Sequence, residues 1–392
     1  MTDNAKSPIL SKNVSSSIGL EPPLRFPGFE GVIKHVKFDK LVKLYRGSSP
    51  RPIIKFITND PTGVNWIKIG DMPQSGNIVR AVSEKITSEG AKKSRKVVVG
   101  DIILSNSMSF GKPYIMGISG YIHDGWFVIR EYEKNLYKDY LCQLLSSDYV
   151  QKQYRRMAAG GVVLNISSDL VNSVVVPVPV LDEQKKIADF LSLVDELIEK
   201  QRQLVEVLKR YKRGLLAHIF NNIQSENILS LGSVCNITTG KLDANAMIPN
   251  GKYRFYTCAK EYYQIDKYAF DTDALLISGN GANVGYIHHY KGKFNAYQRT
   301  YVLDSFHEEI MYVYYYLQAY LHPHIESEKK AGNTPYIVLS TLTEMEIPFP
   351  SKDVQTRIAQ ALSIIDLRIN CEQTILDNLD KQKSGLLQQM FI

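Results

Sequence analysis

The chain repeats itself. Asp182–Phe220 and Asp353–Phe391 align without a gap at an offset of 171, and 14 of the 39 positions are identical. Identities include Asp182/Asp353, Gln184/Gln355, Ile187/Ile358, Leu191/Leu362, Asp195/Asp366, Leu208/Leu379 and Gly214-Leu215-Leu216/Gly385-Leu386-Leu387. Two unrelated helices would not agree so far in register, so the fold must hold two copies of one helical element. Pro177-Val178-Pro179 returns as Pro348-Phe349-Pro350. Fainter echoes lie upstream. Gly100-Asp101-Ile102-Ile103-Leu104-Ser105 stands opposite Thr272–Ile277, Trp126–Ile129 opposite Thr300–Leu303, and Asp139-Tyr140-Leu141 opposite Met311-Tyr312-Val313. The plan is globular domain, helix, globular domain, helix.

Both helices carry an apolar seam of period 3.5. The first reads Ile187, Leu191, Val194, Ile198, Gln201, Val205, Leu208, Lys212, Leu215, Ile219; the second reads Ile358, Leu362, Ile365, Ile369, Glu372, Leu376, Leu379, Lys383, Leu386, Met390. The polar breaks fall at the same two places. Such a seam needs a partner helix to bury it. At 1.5 Å per residue each helix is ~58 Å long, more than one small domain covers, so the two are expected to pair with each other. The prolines before each helix bar continuation upstream, and Asp182 and Asp353 suit N-caps or first-turn acids.

The remaining chain mixes strands and helices. In the first domain Ile53–Ile57, Trp66–Ile69, Val97–Ser105, Tyr114–Met116 and Trp126–Arg130 read as strands, followed by a helix over Leu136–Met157. In the second, Phe255–Thr257, Ala274–Ser278, Gly285–His289 and Thr300–Leu303 do so, followed by a helix near Glu308–Glu328. The boundaries expected are a disordered N-terminus (1–22, rich in Ser, Asn and Lys), domains over 23–180 and 221–350, and helices over 181–220 and 351–392.

Catalysis finds no foothold. There is no GxxxxGK[ST] loop and no HExxH, and His288-His289 and His322-x-His324 do not put two imidazoles on one helix face. Gly279-Asn280-Gly281-Ala282-Asn283-Val284-Gly285 imitates a dinucleotide turn, but its spacing is GxGxxxG and the residues after it read as a strand. Asn333-Thr334-Pro335-Tyr336 lacks the second proline of an amino-methyltransferase motif, and Glu328-x-Lys330 is a commonplace triplet. The four cysteines (Cys142, Cys235, Cys258, Cys371) are far apart and read as buried thiols in a reducing compartment rather than disulfides or a zinc site. No apolar run reaches the ~20 residues of a membrane span, and no secretory leader is evident, so a cytoplasmic location is expected. The net charge of +7 permits a polyanionic partner without demanding one.

Two divergent α/β domains alternating with two near-identical helices resemble the specificity subunit of type I restriction–modification enzymes (the HsdS family). Pro23-Leu24-Arg25-Phe26-Pro27-Gly28-Phe29 looks like the family's opening. Pro177-Val178-Pro179 followed by Asp182-Glu183-Gln184-x-x-Ile187 resembles the start of its conserved helices, Gly214-Leu215-Leu216 and Gly385-Leu386-Leu387 their ends, and Gly100-Asp101-Ile102 a strand of its recognition domain. The chain departs from the family at Val32-Ile33, where a Trp is usual, and at Val354, which stands where the first helix has Glu183. The resemblance, over residues 22–392, implies an α+β fold. Two target recognition domains would alternate with two helices paired as an antiparallel coiled coil with pseudo-twofold symmetry. It implies a non-catalytic chain whose domains each read one half of an asymmetric, split double-stranded DNA target. The helices would set the spacing and dock two methyltransferase subunits; endonuclease/translocase subunits would join them. S-adenosylmethionine, ATP and Mg would be bound by those partners. The competing reading is a coiled-coil scaffold without DNA readout.

Phosphates call for Lys and Arg, and base edges for Arg, Lys, Asn and Gln. The first domain offers the cluster Lys92, Lys93, Arg95 and Lys96, then Asn106 and Lys112 on the loop after the Gly-Asp-Ile strand. The second offers Asn280 and Asn283 on the corresponding loop, followed by Lys291, Lys293, Gln298 and Arg299. Arg155-Arg156 and Lys329-Lys330 close corresponding helices, where capping is an equal explanation. Tyr314, Tyr315 and Tyr316 read as core rather than base-stacking groups. Candidate helix–helix or partner residues are Ile187, Leu191, Val194, Ile198, Leu208, Leu215, Ile358, Leu362, Ile365, Ile369, Leu379 and Leu386.

Overall fold

The computed structural model describes residues 21–73, 76–106, 111–158, 166–225, 227–328 and 336–391. All but the last two residues of the segment 1–22 lie outside them. The chain forms two compact units, Met1–Arg202 with Ile375–Ile392, and Gln203–Thr374. The long helices run over Leu181–Asn221 and Lys352–Met390, and the division falls within both of them. Asp182 and Asp353 sit in their first turns, where a carboxylate favours the exposed N–H groups.

Each domain has its own copy of one sheet arrangement. In unit 1 the strand order is Lys43–Arg46, Trp126–Arg130, Ile102–Ser105, Pro113–Met116, Ile78–Val79, antiparallel except for the last pairing. Unit 2 repeats it with Asn236–Thr239, Thr300–Asp304, Phe270–Ser278, Ile287–Ala296 and Tyr253–Tyr256, again ending on a parallel pairing, and adds Tyr263–Ile265 at the edge. A two-stranded ribbon also recurs: Lys34–Lys37 with Val175–Val178, and Ile228–Ser230 with Glu346–Pro348. Among the described residues, unit 1 also has a second five-stranded sheet that has no counterpart in unit 2. Ile67, Val97 and Ile122 from that sheet pack on Ile103, Met116, Trp126 and Val128 of the first.

Three local expectations need correction. Ile53–Lys55 is a 3-10 turn, in which Lys55 N and Phe56 N donate back to Pro52 O and Ile53 O instead of to a neighbouring strand, and only Ile57–Thr58 is extended. Val97–Ser105 is two strands, Arg95–Val97 and Ile102–Ser105. Between them Gly100 adopts φ +91° and the Asp101 carboxylate accepts the Val98 N–H. The helix over Leu136–Met157 is two, Lys138–Ser146 and Asp148–Ala158, broken at Ser147. The Ser147 hydroxyl donates to Leu144 O and accepts from Val150 N, replacing helix bonds with its own. In unit 2 the corresponding helix is continuous over Ile310–Glu328.

The start of each long helix is fastened to its domain in the same way. Gln184 and Gln355 are fully buried. Gln184 accepts from Tyr137 N and donates to Asn135 O and Pro179 O; Gln355 accepts from Glu309 N and donates to a Glu308 carboxylate oxygen and Pro350 O. The hydroxyls of Tyr140 and Tyr312 donate to Pro177 O and Pro348 O. These contacts explain why the Pro-x-Pro and Asp-x-Gln positions recur.

The seams are covered within each unit. Ile187, Ala188 and Leu191 share the core of unit 1 with Leu387, Met390 and Phe391 from the end of the second helix. Leu216 and Phe220 share the core of unit 2 with Leu362 and, at its edge, Ile358. Every seam residue is buried or half-buried, including Val194, Ile198, Leu208, Leu215, Ile365, Ile369, Leu379 and Leu386. The chain direction in these contacts, with the start of one helix beside the end of the other, makes the pairing antiparallel.

Glu183, which Val354 replaces in the second copy, has a partner of its own. Arg25 reaches it through Nε at 2.7 Å and Nη2 at 3.0 Å, which also holds the guanidinium charged by raising its pKa further. Leu24 N donates to Gln389 O, and the Phe26 ring packs edge-on to Phe190. The Arg25 segment opens the first domain only, and in the second copy the corresponding position is the half-buried, apolar Val354.

Candidate nucleic-acid interface

In unit 1 the strand Lys43–Arg46 ends at Gly47, where an added Cβ would lie 2.0 Å from His123 O. This close approach brings the segment 46–51 against the turn His123-Asp124-Gly125. Asp124 is the hub. Its carboxylate accepts from Ser49 Oγ (2.8 Å) and Arg51 Nη2 (3.1 Å), and its carbonyl accepts from Arg46 Nε (3.3 Å) and Asn106 Nδ2 (2.8 Å). The Ser49 hydrogen bond holds the Asp124 carboxyl below its usual range. Arg95 donates to Arg46 O at 3.1 Å and its guanidinium lies over the Tyr45 ring. Lys93 O accepts from Ser48, and the Lys93 ammonium lies over Phe56. Four cations, Arg46, Arg51, Lys93 and Arg95, thus meet around one turn, with exposed Lys92 and Lys96 on the same segment.

Of these, Arg46 and Arg51 escape the sequence reading; the signal was the run Arg46-Gly47-Ser48-Ser49-Pro50-Arg51. Asn106 is buried and spends its amide on Asp124 O, so it holds the loop rather than facing outward. Lys112 is exposed, with its ammonium over Tyr114. Arg155 and Arg156 are exposed on the last turn of Asp148–Ala158, and Arg155 lies 3.8 Å from Asp148.

In unit 2 the glycine-rich segment is the hairpin loop between Phe270–Ser278 and Ile287–Ala296, with Gly281 and Gly285 at positive φ. Neighbouring loops gather on it. Gly279 N donates to Arg299 O, Ile337 N to Gly279 O, and Asn283 Nδ2 to Cys258 O. Asn280 bridges Tyr336. Gln298 donates to Asp243 through its side chain and to Leu242 O through its backbone. Asn280, Asn283, Gln298 and Arg299 therefore come together, with exposed Lys241 and Lys260 on the adjoining loops. Gly240, before Lys241, plays the part of Gly47: its added Cβ would lie 1.9 Å from Ala296 O.

Lys291 and Lys293 stand apart, along the strand, beside Asp273 (3.7 Å) and Asp271 (4.0 Å). They lie four and six residues past Ile287, ~13 and ~20 Å along the strand from the loop end. Lys329 and Lys330 lie outside the described residues. A further cation that the sequence reading missed is Arg254, held between the Tyr262 and Tyr290 rings at 4.3 and 4.4 Å and donating to Tyr256 OH. Tyr315 is buried, and Tyr314 and Tyr316 are half-buried in their helix, as core groups.

Among the described residues no group of three or more His, Cys, Asp or Glu gathers as for a metal ion, and no helix is long and apolar enough to cross a membrane. Only two of the four cysteines are buried. Burial pushes the thiols of Cys142 and Cys235 up to about 12, whereas Cys258 is half-buried and Cys371 exposed.

A chain with two such domains, each followed by one copy of a repeated helix, has a counterpart among known proteins. The family described as the type I restriction modification DNA specificity domain matches residues 36–210 and again 226–381. The chain belongs to that family. It is 36% identical over 151 residues to the type I restriction enzyme EcoDI specificity subunit of Escherichia coli, a match covering 38% of this chain and 33% of that protein. It is 24% identical over 348 residues to a putative type I restriction enzyme MjaX specificity subunit of Methanocaldococcus jannaschii, covering 78% and 80% of the two chains. The crystal structure of a type I S subunit from Mycoplasma genitalium superimposes with a TM-score of 0.62 at 18% identity, covering 95% of this chain and 99% of that one. At that identity the likeness speaks for the fold.

Proposed function

We propose that this chain is the non-catalytic DNA-reading component of a type I restriction–modification complex, each domain reading one half of an asymmetric, bipartite target. The observation that carries this reading is the duplicated presentation of loops. Both domains use the same sheet order to hold the same set of loops, but fill them with different residues: Arg46, Arg51 and Arg95 in one, Lys241, Asn280 and Arg299 in the other. The same frame with different contacts would read two different half-sites. Helices that start in one compact unit and end in the other suit a spacer; half-sites a whole turn apart would be ~34 Å from centre to centre.

The helices also offer a docking face. Leu193 and Leu197 in unit 1, and Leu204, Val207 and Tyr211 in unit 2, are spaced by three, four or seven residues along the first helix and are exposed, as are Ile364, Leu367 and Ile375 on the second. An apolar stripe left in water on a helix already paired along its seam suits a partner. Two methyltransferase subunits would dock there, binding S-adenosylmethionine and methylating an adenine in each half-site. Endonuclease subunits using ATP and Mg would join them.

The test is binding of the chain, assembled with its methyltransferase subunit, to fluorescent duplexes at 50 and 200 mM salt. The reading predicts nanomolar affinity for one split sequence and a steep fall with salt from phosphate neutralisation. Salt-insensitive association, or none, with an intact complex would favour the scaffold instead.

A further inference from the structure

Each helix seam holds a lysine where an apolar residue would pack, Lys212 in the first helix and Lys383 in the second, at equivalent positions of the repeat. In unit 2 the Lys212 ammonium lies 2.6 Å from Asp366 of the other long helix and donates to Gln318 Oε1 at 2.8 Å. It also lies 5.1 Å from the centre of the Tyr315 ring, and its side chain is only 13% exposed. Asp366 in turn accepts the Tyr315 hydroxyl at 2.9 Å. In unit 1 Lys383 donates to Asp195 of the first long helix, and the other Asp195 oxygen accepts the Gln143 amide at 2.8 Å.

The two arrangements are one device. Asp195 and Asp366 are 171 apart, as are Lys212 and Lys383. Gln143 and Tyr315 hold corresponding places on the helix that covers each domain's sheet. In each unit, then, an aspartate on one long helix is held by a side chain of the domain and by a lysine of the other long helix. The anchor differs, an amide in one and a phenol in the other; the aspartate and lysine do not.

A seam of aliphatic residues tolerates sliding, because one apolar contact replaces another. A lysine withdrawn from water does not. Sliding by one turn, 5.4 Å, would carry the carboxylate out of reach and leave the lysine, 13% exposed in unit 2 and 22% in unit 1, poorly solvated. Polar groups at such positions specify register at some cost in stability.

We propose that Asp195–Lys383 and Lys212–Asp366 form the register lock of the antiparallel helix pair, and that Gln143 and Tyr315 are positioning residues that transmit this register to their domains. The consequence for DNA, one permitted spacing between half-sites, rests on the specificity-subunit reading; the lock itself does not.

The test uses the full chain assembled with its methyltransferase subunit. In this register Glu206 of the first helix lies within one residue of level with native Cys371 of the second, six residues before Lys212 and five after Asp366, and it is exposed outside the apolar stripe. Spin labels at Cys371 and E206C, in a C258S chain whose Cys142 and Cys235 are buried, report the register by pulsed electron paramagnetic resonance. The parent should give one narrow distance. K212M/K383M keeps the seams packed without specifying register, so it should broaden or shift that distance by about a turn even where thermal stability is retained or raised. The reversed pair K212D/D366K, with Asp195 and Lys383 in place, should keep the narrow distance. A narrow, unshifted distance in K212M/K383M, or a broadened one in K212D/D366K, would overturn the lock. In the same complexes, affinity is measured for duplexes with spacers lengthened base pair by base pair. Parent discrimination of tenfold or more between spacers should fall to about twofold in K212M/K383M. Undiminished discrimination there, with a broadened distance, would overturn the role given to the lock in spacing. Should the distances behave as stated while the parent chain selects no spacer, the specificity reading fails and the lock stands.

Discussion

Replacing Arg25 by alanine isolates the most asymmetric contact between the two helix copies. Glu183 is 1% exposed at its side chain, and Arg25, itself 14% exposed, is its bidentate partner. Arg25→Ala therefore strands a carboxylate in the first turn of a helix. Removing one partner of a buried pair costs roughly 3–5 kcal/mol; the residual access to water at Arg25 and the helix N-terminus beside Glu183 place this case near ~3 kcal/mol. For a unit of about 200 residues that lowers the melting temperature by roughly 6–12 °C. The double change Arg25→Met with Glu183→Val copies the apolar choice of the second repeat at Val354. It should recover most of the loss, since an apolar substitute for an ion pair is often neutral. The assay is scanning calorimetry of the parent, Arg25→Ala, the single variants Arg25→Met and Glu183→Val, and the double. A loss below about 1 kcal/mol in Arg25→Ala, or a double variant no better than the worse single, would refute the reasoning.

Further expectations are equally concrete. Tyr140→Phe and Tyr312→Phe each remove a hydrogen bond to a proline carbonyl at equivalent places, so each should cost about 1–2 kcal/mol in urea unfolding, and the two costs should agree within a factor of two. Gly47→Ala and Gly240→Ala put a Cβ against a backbone carbonyl at 2.0 and 1.9 Å; each should abolish DNA binding through its own domain, while circular dichroism shows the helices retained. Lys92→Ala with Lys96→Ala should weaken binding to all sequences alike and make the slope of log K against log salt shallower by about 1–2. Burial holds the imidazoles of His123 and His288 below their ordinary pKa. The unfolded chain therefore binds protons first, and stability should fall as pH drops below the ordinary imidazole range of about 6.5; His288→Gln should flatten that fall in thermal melts from pH 7.5 to 5.5.

The architecture was legible because duplication wrote it twice. Offset 171 and the 3.5-residue seams need only side-chain pattern, and the helices follow the pattern. The strands were partly legible: Trp126–Arg130 is a largely apolar run and forms the strand expected, whereas Ile53–Lys55, similar in composition, closes a 3-10 turn just after Pro52. The candidate interface was least legible. Cations and amides identify themselves in sequence, but whether a side chain is spent inside the protein depends on distant partners. Asn106 goes to Asp124 and Asn283 to Cys258, each through contacts between segments far apart in sequence. Arg46 was missed because it ends a strand whose partner turn lies 78 residues away. The departure at Val354 was visible, but the Arg25–Glu183 contact of the first copy was not.

The measurement that bears most directly on the central claim is the pattern of DNA methylation this chain directs. It is co-expressed with the methyltransferase subunit of its own operon, and N6-methyladenine is mapped across the host genome by single-molecule sequencing. The account predicts one new asymmetric split motif. When the domain over 221–350 is exchanged for that of a relative, one half should change and the other stay. Co-purifying subunits that methylate no motif, or a motif whose two halves both change on that exchange, would contradict it.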